Sequence, residues 1–106
     1  MTALPNDRPF YLLNEGKIQA NLARIQQVKD ATDCNVLMAL KAFAHYQTFP
    51  LLAQTLDGCT ASSLHEARLA HEYFLGHHHA YSPAYSQRDF PEWTNYSQTF
   101  TANSLQ

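Results

Sequence analysis

Val36-Leu37-Met38-Ala39-Leu40-Lys41 is a run of five apolar residues that ends on a cation. Apolar and polar residues do not alternate within it, so neither face of an extended segment there suits water. A strand of a parallel sheet, buried on both faces, has this composition. The stretch predicts such a strand over residues 36–40, with Lys41 at its carboxyl end.

On the amino side the period changes. Ile18, Leu22, Ile25 and Val28 recur at intervals of four, three and three residues, which places them on one stripe of a helix between Glu15 and Asp33. Gln19, Asn21, Arg24, Gln26, Gln27 and Lys29 fill the rest of the circumference, so this helix covers something on one side only. Phe10–Leu13 is a short apolar run that fits a strand. These boundaries divide the chain into an amino-terminal strand segment, residues 1–13, and one α/β unit, residues 14–106.

On the carboxyl side, Pro50 suits the first turn of a helix, where its missing N–H needs no partner. Leu51, Leu52 and Leu56 supply that helix with an apolar face, and Gly58 stands where a left-handed cap would stop it. Cys59–Ser62 is the next strand. Ser63 and Glu66 then form a capping box, opening a helix filled by Leu64, Ala67, Leu69, Ala70 and Phe74 and ended by Gly76. Ala80–Ser82 is a third strand end. A helix beginning at Asp89 or Phe90 follows, with Pro91 in its first turn and Trp93 and Tyr96 on its buried side. Thr99–Asn103 is the fourth strand.

Lys41, Ser62, Ser82 and Asn103 close these runs at intervals of 21, 20 and 21 residues. One strand, one helix and two short loops fit that length, and their repetition is the pattern of a parallel α/β sheet with right-handed crossovers. Loops at the carboxyl ends of parallel strands build the site, so polar residues at four successive strand ends should share one rim.

Lys41 is the residue to which this rim gives chemistry. Its stem is expected to be poorly solvated, and a neutral amine is what condenses with an aldehyde; the alternative on pattern alone is a strand-terminal lysine reaching into solvent. Ser62 is expected close by, as a contact to a bound cofactor or, equally, as the hydroxyl of a strand-end turn. Ser63 reads as a helix cap, and Tyr81, Ser82 and Tyr85 as candidate pocket walls in which packing outweighs binding. The run His77-His78-His79 invites a metal reading, but adjacent residues of an extended chain point in alternate directions and seldom hold one ion together. It is expected to be a loop of exposed histidines after Gly76, and no metal site is expected.

Composition excludes other classes. Charged residues make up 15% of the chain, apolar residues 45%, and the net charge is −2, so there is no basic footprint for nucleic acid. No apolar run approaches the roughly 18–20 residues that cross a bilayer, and no apolar stretch follows Arg8 as a leader would require. Cys34 and Cys59, without a leader, read as free thiols of a reducing compartment, which makes the cytoplasm the expected location.

Four segments also carry a family resemblance. Val-Leu-Met-Ala-Leu-Lys-Ala-Phe at 36–43, Thr-Ala-Ser-Ser-Leu-His-Glu-Ala-Arg-Leu at 60–69, Ala-Tyr-Ser-Pro-Ala-Tyr at 80–85 and Asn-Ser-Leu at 103–105 are similar, in order and spacing, to carboxynorspermidine decarboxylase. That family belongs to the fold group of alanine racemase and ornithine decarboxylase. The resemblance runs from about Pro9 to Gln106. It implies the first four strand–helix units of a (β/α)8 barrel, with pyridoxal 5'-phosphate linked to Lys41. It also implies a carboxynorspermidine or carboxyspermidine substrate decarboxylated to the polyamine, and a homodimer for the complete enzyme.

A (β/α)8 barrel needs roughly 250 residues, and no glycine-rich phosphate loop exists among Gly16, Gly58 and Gly76. The isolated chain is therefore expected to be inactive. Two alternatives stay open: another pyridoxal-phosphate decarboxylase or racemase of the same fold, and a non-catalytic truncated piece.

Overall fold

The computed structural model describes residue 4 and residues 6–105. Residues 1–3 and 5 of the amino-terminal strand segment expected from sequence lie outside the described residues, as does Gln106, where the resemblance ends. Phe10–Leu13 forms no strand. It pairs with no strand of the sheet, and Tyr11 is 95% and Leu12 70% exposed. Helix α1, Glu15–Thr32, follows at once; Asn14 caps it by accepting from Lys17 N at 3.0 Å, and Asp33 ends it in the left-handed conformation, φ 54°.

Leu22 is buried on α1 and Ile18 and Ile25 pack beside it, but Val28 is 54% exposed. Helix geometry explains the difference. At 3.6 residues per turn, position 29 falls about 20° from position 18 around the axis, and position 28 about 80° away. Lys29 therefore holds the last place on the stripe. Its ammonium donates to Thr55 O at 2.6 Å and pairs with the Asp57 carboxylate at 3.0 Å.

Strand β1, Leu37–Ala39, leads through a 3-10 turn, Tyr46–Thr48, into the short helix α2, Phe49–Leu52, with Pro50 in its first turn. Strand β2, Gly58–Ala61, helix α3, Leu64–Tyr73, strand β3, His79–Tyr81, helix α4, Phe90–Tyr96, and strand β4, Thr99–Thr101, complete the order. The four strands are parallel and lie in the sequence order β1-β2-β3-β4. This is the expected α/β architecture of successive strand–helix units.

Neither Gly58 nor Gly76 is a left-handed cap, since no glycine has positive φ among the described residues. α2 ends before Gly58, which begins β2, and α3 ends at Tyr73. The two glycines are small because the chain segments cross there. A Cβ on Gly58 would strike the His77 carbonyl, and one on Gly76 would strike the Asp57 carbonyl, which accepts His77 N at 2.7 Å. The α3 start is as read: Ser63 Oγ accepts from Glu66 N at 3.2 Å, while Glu66 Oε2 reaches back to Ser62 N at 2.5 Å.

The core lies between the sheet and the helices. Leu22, Leu40, Phe49, Leu52, Leu56, Cys59, Ala70 and Phe74 form one buried cluster, and Ala61, Ala67, Ala80 and Trp93 form a second. Met38, Leu40, Cys59, Ala61 and Ala80 thus point toward the helices. The opposite sheet face carries Thr60, His79 and Tyr81, which are half-buried to exposed. Burial of β1 on both faces is therefore not seen; Leu37, Met38 and Ala39 are all only partly buried.

Candidate functional site

Parallel strands bring their carboxyl ends to one edge. The ladder runs one residue past β1, Leu40 N donating to Thr60 O at 3.2 Å, and Lys41 follows in a turn closed by Ala42 N to Ala39 O at 3.0 Å. Lys41 is exposed, which corrects the expectation of a poorly solvated stem. Beyond the last ladder bond it lies outside the packed layer, and nothing among the described residues encloses it. Its amine has no hydrogen-bond or ion-pair partner among the described residues.

Ser62 follows β2 on the same edge. Its N–H is held by Glu66, while its half-buried hydroxyl has no partner among the described residues. Ser63 is the α3 cap, as read. Ser82, after β3, turns its hydroxyl onto Ala84 O at 2.8 Å. After β4, Asn103 Nδ2 donates to Ser82 O at 3.4 Å and also to Pro83 O. The four strand-end residues thus share one rim.

Tyr85 is a packing residue. Its ring meets Phe90, Trp93 and Phe100 edge-on, at centroid distances of 5.8, 5.5 and 6.1 Å. Its hydroxyl donates to Ala80 O at 2.9 Å, with Thr101 O a second acceptor at 3.2 Å. A cavity of about 310 Å³ lies against Pro83, Ala84, Tyr85, Ala102, Asn103 and Ser104. Strand spacing sets β4 about 14 Å from β1, so this cavity and Lys41 are separate parts of the rim. Tyr81 ends β3, 39% exposed, with no partner for its hydroxyl among the described residues.

The three histidines are not a loop of exposed rings. His78 is buried; its Nε2 donates to Phe74 O at 3.0 Å and its Nδ1 accepts from Cys59 N at 3.3 Å. Those partners require the neutral ring, and burial holds its pKa below the usual value. His77 and His79 face the other way. His77 Nε2 lies 3.3 Å from Thr99 Oγ1, and His79 bridges Thr60 and Thr101. Among the described residues no group of three or more His, Cys, Asp or Glu side chains is placed to hold a metal ion. Cys59 is buried and its thiol is pushed up to about 12 by desolvation, so it stays protonated and unreactive.

The His79 bridge was not foreseen from sequence. Part of its signal was present, since alternation along an extended chain turns His79 to the side opposite His78.

No family model matches the chain. A carboxynorspermidine/carboxyspermidine decarboxylase of Herminiimonas arsenicoxydans is 38% identical over 97 residues, 92% of this chain and 27% of that protein. A carboxyaminopropylagmatine decarboxylase of Synechocystis is 39% identical over 105 residues, 99% of this chain and 27% of that protein. The crystal structure of carboxynorspermidine decarboxylase from Campylobacter jejuni, complexed with norspermidine, superposes with a TM-score of 0.88 at 35% identity. That match covers 93% of this chain and 27% of the other. The chain thus spans about a quarter of the length of the curated relatives it matches. In sequence and in fold the chain is similar to about a quarter of the length of these decarboxylases.

Proposed function

We propose that the chain is the amino-terminal part of a pyridoxal-phosphate-dependent decarboxylase acting on carboxynorspermidine or carboxyspermidine. One observation carries this reading: the amine of Lys41 is unengaged at the carboxyl rim that Ser62, Ser82 and Asn103 share. The residues present fit the aldehyde end of pyridoxal phosphate and not its phosphate end, because no glycine-rich loop lies among them. Lys41 would hold the aldehyde carbon, and Ser62, with its unused hydroxyl, would stand beside it as a hydrogen-bonding contact.

When bound, the cofactor supplies a sink for the electron pair left on the α-carbon as carbon dioxide departs. Lys41 has two tasks in that reaction. Its Nζ would hold the aldehyde end of the bound cofactor, and as a free amine it would be placed to carry a proton at the substrate's α-carbon. The exposure of Lys41 in this chain means that water must be excluded by other parts of the complete protein. Those parts would also supply the phosphate cradle. We place that protein in the cytoplasm as a homodimer, with residues 14–106 as the opening of its barrel domain and residues 1–13 as a separate segment.

The Synechocystis relative's name favours a second substrate reading, carboxyaminopropylagmatine. The described strands carry no Asp or Glu, so no acid on them favours one of these substrates over another. Carbon dioxide release from the three carboxylated amines, assayed with the complete protein, tests the reading. Release from at least one of them, lost in Lys41→Ala, is expected. Turnover that survives Lys41→Ala would overturn it.

A further inference from the structure

We propose that His79 is a positioning residue for this rim, acting through a hydrogen-bonded bridge across three strands. Thr60 Oγ1 lies 2.7 Å from His79 Nδ1, and Thr101 Oγ1 lies 2.7 Å from His79 Nε2. Both ring nitrogens are therefore used. A neutral imidazole has one N–H and one lone pair, so one hydroxyl accepts from the ring and the other donates to it.

The bridge is diagonal. His79 pairs in register with Thr60 and Thr99, yet the ring reaches Thr101, two residues farther along β4. A tie of that kind sets how far β4 stands forward of β3. Aliphatic side chains, which dominate the inner layers of such barrels, pack without fixing direction. Valine would match each threonine in shape and would need no partner. Three polar groups satisfied by one another are a costlier arrangement, and what they add is a defined strand-to-strand offset.

That offset falls one step beneath the rim. Ser62, Tyr81 and Asn103 each stand two residues beyond a member of the bridge, a separation of about 6.6 Å along a strand. Lys41 stands two beyond Ala39, which pairs in register with Thr60. The bridge thus sets the heights of the strand ends that flank Lys41. Its role toward the cofactor rests on the Lys41 reading above.

The test uses the complete protein and the visible absorbance of lysine-linked pyridoxal phosphate, titrated to give a cofactor affinity. His79→Phe keeps a flat ring without hydrogen-bonding atoms, and the double variant Thr60→Val with Thr101→Val removes both partners. Each is expected to weaken cofactor affinity about tenfold, the scale set by one or two hydrogen bonds. His79→Gln, which retains a donor and an acceptor, should recover most of it. If His79→Phe does not fold, the double valine variant carries the same expectation. Variants that lose stability but keep the parent's affinity would overturn the proposal, as would failure of His79→Gln to rescue. A parent protein without the absorbance would overturn the Lys41 reading, and this one with it.

Discussion

His78 and Asp57 are two residues whose protonation ties stability to acid pH. His78 is neutral and buried, with its pKa below the usual 6.5: desolvation lowers it most, the Phe74 carbonyl opposes, and His71 and His77 add repulsion. The unfolded chain therefore binds a proton near pH 6.5 that the folded chain refuses, and stability falls as pH drops through that value. Asp57 is held below its usual 3.8, first by Val36 N at 2.7 Å and then by Lys29. Its contribution is present above about 3.8 and is lost only below it. A melting-temperature profile should therefore decline in two steps on acidification, and His78→Asn should remove the upper one. The alternation that separates His78 from its neighbours was legible in the sequence. Its burial was not, because that depends on Phe74 and Cys59 packing from two other elements.

At the scale of elements, local signals were read correctly and crossing points were not. The Ser63–Glu66 box and the placement of Pro50 and Pro91 depend on a few adjacent residues, and all three are found at helix starts. Ser63→Ala should cost about 1 kcal/mol of stability, measured as a shift in denaturant midpoint without a change in slope. Gly58 and Gly76 were misread because what restricts them is each other's segment of backbone. Val28 was misread because a lysine completes the α1 stripe through its stem, which no apolar count detects. Trp93 anchors the second core cluster at 5% exposure, so Trp93→Ala should cost about 3–5 kcal/mol. Loss of amide-exchange protection in α4 and β4 ahead of β1 would check that this cluster is its own cooperative unit.

At the scale of the molecule, four parallel strands in sequence order have two free edges, β1 and β4. One sheet face is covered by helices, and the other carries half-buried to exposed residues. Unpaired edges are templates for association, so the 106-residue chain alone should self-associate as its concentration rises in sedimentation runs. It should also fail to retain pyridoxal phosphate through gel filtration, since Lys41 is the one covalent anchor proposed for it. The 21-residue rhythm of strand ends made the architecture and the shared rim readable in advance. The exposure of Lys41 was not readable, because its environment depends on what packs around the strand ends and not on its neighbours in the chain.

The direct measurement is chemical. The complete protein, loaded with pyridoxal phosphate, is reduced with borohydride so that any cofactor joined to an amine is fixed there, then digested and mapped by mass spectrometry. The phosphopyridoxyl mass is expected on the peptide carrying Lys41 and on no other. The same mass on Lys17, Lys29 or a lysine elsewhere, with Lys41 unmodified, would contradict it.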